Sequence, residues 1–275
     1  MLEIENTIDM IDPEIQKALR NRFNPDGSVL RMHQKRMLEI LKYIDCVCKK
    51  HDINYWLSSG TLIGAVRHGG FIPWDDDMDI EMLRGDYKRL IKILQEESSV
   101  HYAVQTYQTD SGYTLPFAKM RDLHSHVVEK GAENYKYNGC WVDLFYLEKN
   151  TCTCLKLSVG FHKFVFAPLG IIKGRPKCLL PLYKVLVYKI IFPVLRSFNQ
   201  LLPLKYLYHT YGIPFYKNRI PKDIFPLGEI EFEGIKFPAP ANLDGYLRRI
   251  YGNYMELPSF EKIETHELEI EFEEK

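Results

Sequence analysis

No stretch of this 275-residue chain holds about eighteen uncharged apolar residues in a row, which excludes a membrane-spanning helix on length. Cysteine is sparse. The six, at positions 46, 48, 140, 152, 154 and 178, are too few to hold a fold of this size by disulfides. Cys46-x-Cys48 and Cys152-x-Cys154 lack the two-residue gap of common zinc knuckles, so the cysteines read as small core residues in a reducing compartment. Net charge is absent too. With 36 basic and 36 acidic residues, no general attraction to nucleic acid is expected. The opening MLEIENTIDMIDPE is acidic and lacks the charged-then-apolar plan of a secretory leader, so the expected location is the cytoplasm. No internal repeat or low-complexity tract appears. What is left is ordinary globular usage, 46% hydrophobic and 26% charged, enough for one substantial core or two modest ones.

One absence is local. From Lys149 to Lys222 there is no Asp or Glu, while thirteen of the 36 basic residues fall there, leaving 23 basic against 36 acidic residues in the remainder. The same segment is rich in Phe, Leu, Ile, Val and Tyr. Two readings stand: it lies on an anionic membrane surface, at the inner face of the membrane, or it packs as a basic helical subdomain on the acidic part of its own chain. In a single helix from Lys177 to Arg196 the four basic residues would share an arc of about 140°. Pro181 and Pro193 are expected to break that helix.

The densest chemistry lies between Ile53 and Met82. Tyr55-Trp56-Leu57 is of strand type, Ser58-Ser59-Gly60 breaks it, and Thr61 with Leu62 to Val66 begins a helix. Such a turn aims backbone N–H groups and the hydroxyls of Ser58, Ser59 and Thr61 at a helix N-terminus, where the dipole favours phosphate. Phe71-Ile72-Pro73-Trp74 then leads into Asp75-Asp76-Asp77-Met78-Asp79-Ile80. In a strand, Asp75, Asp77 and Asp79 would share one face, with Asp76 and Met78 on the other. Carboxylates so arranged repel one another unless a cation joins them, and oxygen ligands suit Mg²⁺ or Mn²⁺. The bland counterpart is a solvated acidic loop, which the apolar flanks disfavour.

Around this stretch, Leu30 to His51 and Gly85 to Glu97 read as amphipathic helices. Tyr102 to Thr106, Phe117 to Arg121 and Gly139 to Leu147 read as strands, the last holding Asp143 in an apolar run. A buried carboxylate there needs a cation, a basic partner or water. Lys119 and Arg121 share a strand face, either as a solvated surface or as a clamp on a diphosphate; Arg67-His68 carries the same pair of readings. A hairpin is expected to turn at Glu233-Gly234, followed by a helix from Leu243 that ends near Gly252 and an acidic tail that is an edge strand or disordered. The segments divide as 1–29, 30–148, 149–222 and 223–275.

Three blocks carry a family resemblance. Tyr55 to His68 together with Phe71 to Ile80, then Trp141-Val142-Asp143-Leu144-Phe145, then Phe225 to Pro238 with Tyr251 to Pro258, resemble the LicD family of phosphocholine transferases, related to fukutin and the fukutin-related protein. Tyr146 stands where proline is usual in that family, and Thr61 where serine is. The resemblance implies an α+β, nucleotidyltransferase-like mixed sheet flanked by helices. It implies Asp77, Asp79 and Asp143 as catalytic metal-holding carboxylates, with Asp75 supporting them, around Mg²⁺ or Mn²⁺. Ser59, Gly60, Thr61, Arg67, Lys119 and Arg121 would meet a CDP-linked donor, and the acceptor would be a glycan hydroxyl, lipid-linked in some members. The alternatives are a nucleotidyltransferase that moves NMP from an NTP at the same site, and a non-catalytic membrane-docking protein.

Overall fold

Period-two alternation in short segments and three- to four-residue periodicity between them produce a mixed sheet flanked by helices. A computed structural model describes residues 11–129, 131–161, 179–259, 263 and 269–273. Two helices come first, α1 (Pro13–Phe23) and α2 (Val29–Lys50). Asp12 caps α1 by accepting from the N–H groups of Glu14 and Ile15, and Ser28 caps α2 by accepting from Arg31 N–H. There follow β1 (Trp56–Leu57), α3 (Ser59–His68), β2 (Asp79–Leu83), α4 (Arg84–Glu96), β3 (Tyr102–Gln105), β4 (Ala118–Asp122), β5 (Ser125–Val127) and β6 (Trp141–Lys149). The central sheet runs β1-β2-β6-β4-β3, with β2 and β6 parallel and the other pairs antiparallel.

Register sorts the side chains. On one face lie Ile80, Met82, Val104, Ala118, Met120, Val142, Leu144 and Tyr146, all buried and covered by α2 and α4. The other face carries Asp79, Glu81, Lys119, Arg121 and Asp143. Burial of the first face supplies the hydrophobic drive; the second is where the unusual charges collect.

The basic segment is built into this core. After α5 (Cys152–Gly160), a helical run covers α6 (Leu180–Lys184), a π-helical stretch Val185–Ile191, and α7 (Phe192–Gln200). The expected break at Pro193 does not occur, and α6 begins beside Pro181. Pro181 sits in the first turn of α6, where its missing N–H costs nothing. Ahead of Pro193 the helix widens, so that Phe192 N–H donates to Val187 O five residues back, and the wide turn accommodates the ring. Lys177 lies outside the described residues. Strand β7 (Leu207–His209) then pairs with the end of β6, antiparallel, matching Leu147 with His209. Among the described residues no helix is long and apolar enough to cross a membrane.

The last part comprises α8 (Pro221–Ile224), the hairpin β8 (Gly228–Phe232) and β9 (Ile235–Ala239), α9 (Leu243–Tyr251) and β10 (Ile270–Phe272). The hairpin turns at Glu233 and Gly234, both with positive φ, at 52° and 78°. Helix α9 ends at Gly252, φ 71°. The tail forms a strand: β10 pairs with β5.

Candidate active site

The site is a row across the sheet. Asp79 of β2 stands opposite Asp143 of β6, Asp143 opposite Lys119 of β4, and Lys119 opposite Gln105 of β3. Neighbouring strands lie about 4.8 Å apart, so these side chains are in contact range on one face. Lys119 Nζ is 2.8 Å from Asp143 Oδ1, and both side chains are about nine-tenths buried or more. This answers the sequence question about Asp143: it has a basic partner and a neighbouring carboxylate. Burial, then Asp143, Asp77 and Asp75, push the Asp79 carboxyl well above its usual range.

Asp75 to Met78 do not continue β2. The backbone bends there, because Asp75 N–H donates to Ile72 O at 3.0 Å and two side chains of α2 grip the loop from below. Gln34 Nε2 donates to Asp75 O at 2.9 Å, and His33 Nε2 lies 3.0 Å from Asp76 O. The bend corrects the expected alternation: oxygens of Asp75, Asp76 and Asp77 all approach within 4.8 Å of one another. Asp76, assigned to the opposite face of a strand, joins the cluster. Burial, then Asp77 and Asp76, raise Asp75 to about 7. Burial lowers His33 to about 4, so its imidazole is neutral beneath the loop.

Helix α3 presents its N-terminus to these carboxylates. Ser58 makes no side-chain cap, and a Cβ on Gly60 would stand 2.5 Å from Asp75 Oδ2, so any larger residue there would force that carboxylate to move. Ser59 holds φ 49°, a left-handed conformation costly for a residue with a Cβ. Thr61 Oγ1 accepts from Asp79 N–H at 2.8 Å, and Ser58 N–H donates to Asp79 O at 3.2 Å. The turn therefore positions Asp79 directly. Ser58 Oγ is turned inward, 3.0 Å from Tyr246 OH.

The two expected guanidinium contacts are committed within the protein. Arg67 Nη1 donates to Tyr254 O at 2.8 Å and to Glu256 O at 3.2 Å, and its Nε to His68 Nε2 at 2.9 Å; burial lowers it to about 10. Arg121 donates to Gln105 Oε1, Gly139 O and Glu129 Oε2 at 2.8, 3.0 and 2.8 Å. The Trp141 ring lies between Lys119 and Arg121, at 4.5 and 4.9 Å from its centroid.

Glu81 went unnoticed in the sequence. It is fully buried on the site face two residues beyond Asp79, and accepts from Tyr246 OH at 2.6 Å, Trp56 Nε1 at 3.3 Å and Arg219, with His209 Nε2 at 2.6 Å. Burial alone would raise it; Arg219, then His209 and Tyr246, outweigh that and hold it at about 2. The spacing Asp77-x-Asp79-x-Glu81 was the available signal.

A family model described as LicD/FKTN/FKRP, nucleotidyltransferase domain, matches residues 52–172, which contain the whole acidic row and the α3 turn. The chain is similar to the lipopolysaccharide cholinephosphotransferase LicD of Haemophilus influenzae, 29% identical over 259 residues that cover 87% of this chain and 96% of that protein. It is also similar to the ribitol 5-phosphate transferase FKRP of Homo sapiens, 41% identical over 46 residues, 17% of this chain and 9% of that protein. The ribitol-5-phosphate transferase FKTN of Mus musculus is 28% identical over 108 residues, 39% of this chain and 23% of that protein.

Proposed function

Because this chain carries a LicD-family nucleotidyltransferase domain and its relatives are named phosphotransferases, we propose that it moves a substituted phosphate, phosphocholine first among the candidates, from a CDP-linked donor to a glycan hydroxyl. The acceptor oxygen attacks the phosphorus bearing the alcohol, the P–O bond to CMP breaks, CMP takes the electron pair, and the hydroxyl proton passes to solvent. The observation that carries the reading is the in-register row Asp79–Asp143–Lys119 beside Asp75–Asp77 at the α3 N-terminus.

The donor set is all oxygen and fits Mg²⁺ or Mn²⁺. Asp75, Asp77, Asp79 and Asp143 would hold the cation as the family resemblance implies; among the described residues the carboxylates already within 4.8 Å of one another are Asp75, Asp76 and Asp77, with the Asp79–Asp143 pair beside them. When bound, the cation would neutralise the diphosphate and the charge growing on the leaving phosphate. The chain's own residues do the rest. Ser59, Gly60 and Thr61 offer N–H groups to the donor phosphates at a helix N-terminus. Lys119 fixes Asp143, while Arg67 and Arg121 act as stationary positive charges near Asp75 and Asp143. A lipid-linked acceptor at an anionic membrane surface belongs to the same reading.

The test is product analysis with Mg²⁺ present. CMP released from CDP-choline, CDP-ribitol or CDP-glycerol, in step with labelling of a glycan, supports the proposal and ranks the head groups. Pyrophosphate released from an NTP instead would make it a nucleotidyltransferase. If neither product forms and no nucleotide raises the melting temperature, the non-catalytic reading holds.

A further inference from the structure

A second concave site lies on the far side of the sheet. Between α4 and the helical run Leu180–Gln200 is a cleft of about 400 Å³, and Tyr146 of β6, on the opposite sheet face from Asp143, is part of its lining. Four cations border it: Arg84, Lys88 and Lys92 on successive turns of α4, and Arg196 across from them. Glu148 serves two of these, Arg84 at 3.6 Å and Arg196 at 2.5 and 2.8 Å; Lys92 has Glu96 at 3.7 Å, and Lys88 forms no ion pair among the described residues. Like charges four residues apart destabilise a helix, so this stripe carries a standing cost that an anion would relieve. Tyr107 and Tyr188 stack at 3.9 Å between ring centroids and 9° between planes, forming a flat wall. Tyr188 also sits in the π-helical stretch, a deviation frequent at functional sites.

The outer side of the same run is apolar and open. Leu182, Val185, Ile190, Val194, Phe198 and Leu201 are between 42% and 81% exposed. Pro193, in the cleft wall, is followed directly by Val194 on the outside. The cationic cleft, bordered by α4 and by Arg196, and the exposed apolar helix face thus adjoin along one helical run.

We infer that this cleft receives the phosphate head group of an anionic membrane lipid, with the outer face of Leu180–Gln200 seated in the bilayer surface. The inference rests on the membrane part of the reading above and not on its transfer chemistry. It also draws on charge from outside the basic segment. Of the basic segment's own residues, Lys184 donates to the carbonyls of Tyr107, Asp110 and Ser111, Arg196 is held by Glu148, and Arg219 by Glu81. At the cleft itself, Arg84, Lys88 and Lys92 come from α4, outside that segment.

The test is co-sedimentation of the full chain with vesicles of phosphatidylcholine alone and with vesicles that also contain phosphatidic acid. Wild type should pellet with the second kind only, less as salt rises. Lys88→Gln with Lys92→Gln should weaken that binding roughly 25-fold, at about fivefold per cation, without lowering the melting temperature. Val194→Ser with Phe198→Ser should reduce vesicle binding while leaving any affinity for inorganic phosphate unchanged. Asp77→Asn should bind vesicles like wild type, whatever its turnover, which separates this inference from the catalytic one. Indifference of wild type to phosphatidic acid, or equal binding by the Lys88/Lys92 variant, overturns it. Binding of inorganic phosphate without vesicle binding overturns it in favour of a soluble anion.

Discussion

At the scale of single residues, burial and charge decide what each side chain can do. Asp79→Asn should abolish turnover yet raise the melting temperature, because the change removes a buried like charge from beside Asp143. Thermal unfolding of the metal-free protein alongside a turnover assay checks both halves. Lys119 behaves differently. As a clamp on the donor alone, its loss would raise KM and spare kcat; as the partner of buried Asp143, its loss leaves an uncompensated charge. Lys119→Met should therefore lower kcat as well and cost about 3 kcal/mol in urea unfolding. A KM effect with full kcat and full stability would return Lys119 to the clamp. Glu81 is a pure anchor by geometry. Glu81→Gln leaves Arg219 buried without its charge partner and should cost about 3–5 kcal/mol, read as an earlier urea midpoint.

At the scale of elements, two turns do most of the positioning. The α3 turn packs Gly60 under Asp75 so closely that Gly60→Ala must push the carboxylate away. The expected result is a large loss of kcat with a smaller loss of stability; unchanged kcat would remove Asp75 from the site. The other turn belongs to the β8–β9 hairpin, whose Glu233 is bound by Arg31 at 2.6 and 3.2 Å and by Phe71 N–H at 3.2 Å. Burial alone would raise the Glu233 carboxyl, but Arg31 and the N–H outweigh it and hold it below its usual range. A depressed folded-state value means the stabilisation is complete above the unfolded value, about 4.3 for Glu, and is lost as pH falls through the folded one. Denaturation curves taken from neutral to acid pH should show stability falling less steeply below about pH 4 in Glu233→Gln than in wild type. Identical slopes would mean the hairpin is held by its apolar packing alone.

At the scale of the whole molecule, the opposition between the basic segment and the acidic remainder is partly spent inside the fold. The Arg196–Glu148 pair ties α7 to the end of β6, and β7 completes the same sheet edge, so the segment is a structural partner of the core as well as an exposed surface. The sequence left both readings open; the structure shows the packing on the chain's own core, and contact with a membrane is the proposal made above. Arg196 faces inward, whereas the apolar residues between the basic ones face out. Helix lengths, strand periods, the Glu233-Gly234 turn and the Gly252 stop were legible because each depends on residues a few positions apart. The bend at Asp75 was not. Gln34 and His33, which produce it, belong to a helix far back in the chain.

Sequence by itself determined that the Ser58–Thr61 turn and the Asp75 to Asp79 run stand close together in the chain and that Asp143 is a carboxylate in an apolar strand in need of a partner, since residue type and local spacing carry that information. Only the tertiary structure decided who neutralises whom: Lys119 for Asp143, Arg219 for Glu81, main-chain carbonyls and His68 for Arg67. Side-chain alternation tells which face a residue takes, but the partner on that face follows from strand order and register. Those are set by burying the apolar face of the sheet under α2 and α4, a condition on the whole chain that no short window contains.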